Sequence, residues 1–399
     1  MNMNKIAFNI LTVPVLAVLA VSCGGQDEIY KEWVKKGGYD YPAKAINLSS
    51  VIGYQNVIVN WEKPMDPAVR TATLFWDNYA KSIDVDYADY PDGKVSIEVG
   101  ELEDRSYTFD IVNYDDVGNK SLAAEITVSP YGDGWMVSRS ERTVTSARME
   151  GRDAKIVMSK ATDEMVATRF RYKNLQDEWV ESETVLKPGE NEVTFKDAMK
   201  GKRFEYSSSF CPKAGKDTVW RTWIKSVDGI SYQIDGSRWN VTATNGQYFG
   251  INTPEKIFDG RYDRPAYSWH SSKSDNNKQA FPKILSVDTQ TSTGEEFAFT
   301  GFTFCENNTA ASLRYIKDYT IYVGSSYYNP DDADYLKNFG IPFIGGTLST
   351  SADQYSVNVT QGATGRYMAI VFKNSWNADD GFIDLWEFIP YGYIPSLAD

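Results

Sequence analysis

The chain has a single histidine, His270, among 399 residues, and only three cysteines, Cys23, Cys211 and Cys305. One histidine rules out mechanisms that need a pair, from zinc hydrolysis to most metal oxygenases. It also leaves serine, lysine and cysteine nucleophiles almost without a base. The cysteines show no spacing of a metal knuckle. Cationic excess is missing as well: 41 Lys and Arg stand against 54 Asp and Glu, a net charge of −13. Such a chain repels phosphate backbones, and no basic cluster offsets this, which argues against nucleic acid as a partner. Acidic pairs do occur, at Asp84/Asp86, Asp115/Asp116, Asp331/Asp332 and Asp379/Asp380. They sit in turn-like stretches beside Gly and Asn, where Asp bonds its own backbone. A glycosidase needs two carboxylates held across a cleft, so a non-enzyme is the expectation.

What the chain has in quantity is aromatic residues, 26 Tyr and 11 Trp. Many lie in alternating runs of strand length. Phe297-Ala298-Phe299-Thr300-Gly301-Phe302-Thr303-Phe304 has the period of a half-buried strand, and Tyr319 to Val323 and Tyr367 to Phe372 are β-branched and aromatic. Clusters of Gly, Asn, Asp and Ser separate them. Several short strands without a long helical period predict an all-β fold of sandwiched or closed antiparallel sheets.

The first 22 residues carry one Lys5 and then an apolar run from Ile10 to Val21, the form of a secretory signal, too short for a stable span. The run ends in Leu19-Ala20-Val21-Ser22-Cys23, which resembles a bacterial lipobox, and the resemblance implies a lipidated Cys23. Asp27 and Glu28 just behind it resemble the surface-export signal of Bacteroidetes lipoproteins. The expected location is therefore the outer membrane, lipid-anchored and facing outward, with a periplasm-facing anchor as the alternative. A tether over 23–40 would follow. Cys211 and Cys305 are expected as two free, mostly buried thiols, a disulfide between them being the alternative.

Between Tyr41 and Lys225 the sequence repeats itself. Trp61, Leu102 and Tyr107 recur as Met158, Met199 and Phe204 at a constant offset of 97. Each copy has an apolar strand, a second strand with aromatics, and a Leu-x4-Tyr or Met-x4-Phe corner. The pattern resembles fibronectin type III modules, placed at 41–131 and 132–232. Phe204 lacks the hydroxyl of a tyrosine corner. Residues 30 to 225 also resemble an uncharacterised domain family of Bacteroidetes lipoproteins, carried by Tyr30-Lys31-Glu32-Trp33, Leu102 to Ser121, and Phe204 to Trp223. Such lipoproteins belong to polysaccharide-utilisation systems, which makes neighbouring glycan-uptake proteins expected partners.

A last series of landmarks runs from Ile257-Phe258-Asp259-Gly260 through Tyr267-Ser268-Trp269-His270 and Ile316 to Val323. It continues with Gly365 to Ile370 and closes with Leu385-Trp386-Glu387-Phe388. Over about 238–393 it resembles the discoidin, or coagulation factor 5/8 type C, family. The resemblance implies a galactose-binding-like β-sandwich after the two fibronectin-like ones. It also implies a carbohydrate ligand, or, as the alternative, a protein partner for an adhesin or assembly protein. The family's structural calcium would correspond to Lys256 (through its carbonyl), Asp259 and Glu387, with Asp263 as a further candidate. Tyr267 stands where the family has Thr, and the alternative for Asp259 is to cap its own turn. For the sugar, the candidates are Trp376 and Asn377 in a polar loop, His270, Asn307, Asn308 and Tyr328, with Tyr327 beside it. The family's galactose-binding Arg is absent from the stretch around Glu306. Trp269 matches the family's buried Trp. Asn307-Asn308-Thr309 reads as readily as a turn, and His270 as a surface residue.

Overall fold

Strands follow the alternating runs throughout the computed structural model, which describes residues 41–244, 251–261, 268–271, 281–290, 294–306, 315–350, 353–376 and 383–399. The chain divides into two compact units, Met1–Gly132 and Asp133–Asp399. Among the described residues no helix is long and apolar enough to cross a membrane.

The first unit holds seven strands: β1 (Ile46–Ile52), β2 (Val57–Glu62), β3 (Val69–Trp76), β4 (Lys81–Asp86), β5 (Lys94–Val99), β6 (Tyr107–Asp115) and β7 (Ala124–Val128). They form one sheet in the order β1-β2-β5 and another in the order β4-β3-β6-β7, all antiparallel. This is the fibronectin-like arrangement. Trp61 is buried at its centre, and its indole N–H donates to Tyr87 Oη at 3.0 Å. Tyr87 in turn donates to Asn113 Oδ1 at 2.8 Å, and Asn113 donates to the Ala43 carbonyl at 2.8 Å. A buried polar chain of this kind is tolerated because each link has its partner. The tyrosine corner is present too: Tyr107 Oη accepts the Glu103 N–H at 3.0 Å.

The second unit opens with a short helix, α1 (Asp133–Val137), and repeats the same sheet plan. Its strands are β8 (Val144–Glu150), β9 (Asp153–Met158), β10 (Met165–Lys173), β11 (Trp179–Glu181), β12 (Glu192–Phe195), β13 (Glu205–Phe210), β14 (Val219–Trp220) and β15 (Ile224–Lys225). One sheet runs β12-β9-β8; in the other, β10 and β13 are central, flanked by β11, β14 and β15. Met158 replaces the central Trp and is equally buried, and Phe204 lies in the core against Phe195 at a ring distance of 5.2 Å. Along β10 the period of two sends Phe170 and Tyr172 inward and leaves Arg169 and Arg171 outside, half-exposed. There Arg169 lies 4.5 Å from the Trp220 ring and 4.6 Å from Trp223, so cations share the outer surface with these indoles.

The remaining strands make a third sandwich. They are β16 (Tyr232–Gln233), β17 (Asn240–Thr244), β18 (Trp269–His270), β19 (Lys283–Asp288), β20 (Phe297–Glu306), β21 (Asp318–Gly324), β22 (Ile344–Thr347), β23 (Gln354–Gly365), β24 (Tyr367–Phe372) and β25 (Asp384–Tyr393). A second short helix, α2 (Tyr335–Phe339), lies between β21 and β22. One sheet runs β16-β25-β20-β23 with β18 also on β25; the other runs β17-β19-β24-β21-β22. Phe302, Phe304, Phe372, Phe388 and Trp269 fill the space between them. Cys305 is buried and Cys211 half-buried, both as free thiols. The chain's end returns to the second fibronectin-like module. Arg203 N–H donates to the Ala398 carbonyl at 2.8 Å, and Lys225 pairs with Asp399 at 3.0 Å.

Tyr107→Phe removes the acceptor that ties the exposed Glu103 backbone to the buried Tyr107. The first module should lose about 1 kcal/mol of unfolding free energy, read from urea denaturation.

Candidate functional site

The sandwich gathers its candidates according to which end of its strands they follow. β24 ends at Phe372, opposite Tyr319 of β21 and Lys283 of β19. Asn374 then ties the following turn down: its Oδ1 accepts the Asp318 N–H at 2.8 Å and its Nδ2 donates to Asp318 Oδ2 at 2.7 Å. Hydrogen bonds from Thr347 and Asn374 hold the Asp318 carboxyl below the usual carboxylate range. Ser375 forms a β-bridge with Ile316, and Trp376 N–H donates to the Tyr315 carbonyl at 3.0 Å. The Trp376 indole is fixed at a second point, donating from Nε1 to the Leu348 carbonyl at 3.0 Å. The residue remains 41 % exposed, with Lys317 Nζ over its ring at 4.7 Å from the centroid. A large apolar ring is thus held rigidly at the surface, with a cation beside it.

Glu306 and His270 lie at the same end. Glu306 ends β20 on the inward face, after Phe302 and Phe304, and is 3 % exposed. Its Oε1 accepts the Ile316 N–H at 2.6 Å, while Oε2 is buried and has no hydrogen-bond partner among the described residues. Burial pushes its carboxyl up to about 8, with a smaller push from Asp384. His270 pairs across the ladder with that same Asp384 and is half-buried. Trp269 beside it is fully buried against Phe372. Asn307, Asn308 and Asn377, which the sequence places at this end, lie outside the described residues, as does Cys23.

Tyr328 is not brought to this group. It follows Gly324, which pairs with Tyr367 at the other end of β24, about 20 Å from Asp318 at the usual strand rise. There Tyr328 packs edge-on against Phe339 at 5.0 Å. It lines a separate cleft of about 340 Å3 with Tyr327, Asn329 and Tyr367.

The acids of the expected calcium site do meet. Asp259 caps a 3-10 turn (Pro254–Phe258), and Gly260 takes φ +75°, which turns its N–H toward Glu387 Oε1 at 3.2 Å. Asp259 Oδ1 accepts the Arg261 N–H at 3.0 Å, the turn-capping role, and Lys256 Nζ stands 3.8 Å from Oδ2. The Lys256 carbonyl accepts the Asp259 N–H at 3.4 Å. Glu387 Oε2 is buried without a partner; burial pushes the carboxyl up to about 8, and Asp259 adds to this. Calcium takes six to eight oxygens. Lys256, Asp259 and Glu387 supply three, Asp263 lies outside the described residues, and no group of three His, Cys, Asp or Glu among the described residues stands ready for a metal. The described donors therefore do not fit a calcium shell.

Two signals were missed in the sequence. Glu306 could have been found, because period two carries it inward from Phe302 and Phe304. Lys317 and the Leu348 carbonyl could not, since they meet Trp376 only through the fold.

Glu306 and Glu387 both titrate higher in the fold than in the open chain. Between about 4.5 and about 8 the unfolded chain has released these protons while the folded one keeps them, so raising pH across that window favours unfolding. In EDTA, the unfolding temperature of the unit should fall from pH 5 to pH 8.5, and Glu387→Gln should flatten part of that slope. Scanning calorimetry at stepped pH measures it; a bound cation would remove the Glu387 share of the slope in calcium buffer.

Comparisons with known proteins bear on both parts of the chain. A family model, DUF4998, described as a domain of unknown function, matches residues 23–217, the stretch of the fibronectin-like pair. No curated protein matches. Among solved structures, the family 32 carbohydrate-binding module of NanJ from C. perfringens, solved with galactose, shares 17 % identity with a TM-score of 0.31. It covers 41 % of this chain and 99 % of its own. A fucolectin from striped bass (Morone saxatilis) serum is 11 % identical, TM-score 0.32, covering 74 % and 86 %. A SusE-like protein is 11 % identical, TM-score 0.33, covering 63 % and 97 %. These scores are too low to carry an argument, and the all-β assignment rests on the sheets described above.

Proposed function

We propose that the C-terminal sandwich binds carbohydrate at the end that carries Trp376, and that the protein is a binder rather than an enzyme. The observation that carries this reading is Trp376 itself. A tryptophan left 41 % exposed costs apolar surface in water, yet its backbone N–H and its indole N–H, each bonded to a backbone carbonyl, keep it from folding away. Sugar rings offer an apolar C–H face to such a ring, and their hydroxyls need paired donors and acceptors. Lys317 Nζ lies over one face of the ring at 4.7 Å from its centroid, which leaves the opposite face for a sugar and puts N–H donors nearby. Asn377 in the following residue is part of the same proposal.

The context proposed with it is a lipid anchor on Cys23 at the outer membrane, facing outward, in a polysaccharide-utilisation system. The lipobox-like Leu19 to Cys23 supports the anchor. In this reading the fibronectin-like modules form a stalk, and single-site affinity is weak, with avidity from many copies on one surface.

Trp376→Ala in the full chain should weaken glycan binding at least tenfold on an array or by calorimetry. Tyr327→Ala, 65 % exposed at the opposite end, should leave it unchanged. Equal loss in both variants would refute the placement at Trp376, and a protein ligand retained by Trp376→Ala would favour the adhesin reading.

A further inference from the structure

Inside the unit Asp133–Asp399 a cleft of about 570 Å3 opens between β8 of the second module and β20 and β23 of the third sandwich. That volume falls within the ~300–1,000 Å3 common for small-ligand sites. Arg148 of β8 lines it. Its guanidinium lies 3.7 Å from the centroid of the Tyr391 ring and donates from Nη2 to Asn358 Oδ1. Gly301 leaves the room for this, because a Cβ there would stand 2.9 Å from Nη2.

Arg148 differs in its charge partners from several guanidiniums of the same module, though Arg142, which bonds backbone carbonyls, and Arg169, which lies over Trp220 and Trp223, also lack a carboxylate among the described residues. Arg139, Arg152 and Arg171 each touch a carboxylate, of Glu164, Asp197 and Glu205. Arg148 is half-buried, and among the described residues its side-chain contacts are an amide oxygen and a ring. Its Nε is buried without a hydrogen-bond partner. Burial lowers its proton affinity, and Glu150, two residues along, only partly counters this. A partly desolvated cation without an opposite charge is costly, and a guanidinium presents parallel N–H donors that match a carboxylate. The other walls are rich in hydroxyls, from Thr143, Ser146 and Thr300, which suit sugar hydroxyls. Asp228, which accepts the Tyr393 hydroxyl at 2.9 Å, offers a further acceptor.

We propose that this cleft is a second binding site, for an acidic saccharide whose carboxylate pairs with Arg148. It is distinct from the Trp376 end: Thr300 and Glu306 are six residues apart on β20, about 20 Å.

Calorimetric titration of the full chain tests it, with trigalacturonate, the neutral galactotriose, and sodium sulfate as probes. Trigalacturonate should bind, more weakly as salt rises. Arg148→Gln should weaken it at least tenfold. Ser146→Trp, which fills the cleft from a half-exposed position and leaves the guanidinium in place, should do the same. Circular dichroism and thermal unfolding check that both variants fold. Trp376→Ala should leave this binding intact, so failure here and failure of the carbohydrate reading at the other end are distinguishable. The proposal is overturned by absent trigalacturonate binding, or by binding undiminished in either folded variant. It is overturned equally by galactotriose or sulfate binding as tightly as trigalacturonate.

Discussion

Ten residues of β25 pair with β20 along most of their length, with β18 at their start and with β16 near their end. Backbone groups at this depth must find partners, so the pairing sets the register of everything attached to the strand. Leu385 and Phe388 are sent into the core, and Glu387 is held against the turn of Asp259 and Gly260. At the start of the strand, His270 is fixed opposite Asp384. Tyr393, its last residue, reaches Asp228, and beyond its end Asp399 reaches Lys225, which joins the third sandwich to the second module. The Arg148 cleft lies beside that polar junction, and Asp228 belongs to both.

The same strand pair buries two carboxyl groups that the described fold leaves half-satisfied. Glu306 and Glu387 each spend one oxygen on a backbone N–H and bury the other without a partner. Such groups are uncommon in native interiors, where buried polar atoms are nearly always paired. Protonation relieves them, which is why both carboxyls rise to about 8. Their positions differ in consequence. Glu306 bonds Ile316, which bridges to Ser375 next to Trp376, and feels the charge of Asp384, whereas Glu387 backs the Asp259 turn and feels the charge of Asp259.

Much of the architecture was legible in the sequence because it rests on local periods. β20, β21 and β24 fall on the runs whose side chains alternate or branch, and the repeat at an offset of 97 places Trp61 and Met158 at the two module centres. The corner hydroxyl of Tyr107 and its loss at Phe204 were legible for the same reason, since a corner is a short-range pattern. What was not legible depends on which strand ends coincide. Tyr328 and Trp376 are both aromatic residues in polar loops, and nothing in their neighbours tells one end of the sandwich from the other. The pairing of Gly324 with Tyr367 and of Tyr319 with Phe372 decides it. Arg148 was illegible for a stronger reason: it occupies an ordinary outward strand position, and its burial comes from Gly301, Asn358 and Tyr391, more than 150 residues away in sequence.

The two proposed sites, an aromatic platform and a charged cleft on one compact unit, would have a consequence for the kind of glycan the protein favours. A single exposed indole with a lysine beside it gives weak and permissive binding, because stacking accepts many sugars. A desolvated guanidinium is the opposite, selective for one charge and sensitive to salt. Two weak contacts about 20 Å apart gain from each other only if one chain spans both, because the second contact then forms at a high effective concentration. Short fragments engage one site at a time and gain nothing. With both proposed sites occupied, the arrangement would discriminate by length as well as by charge, favouring polymeric acidic glycan over its own breakdown products.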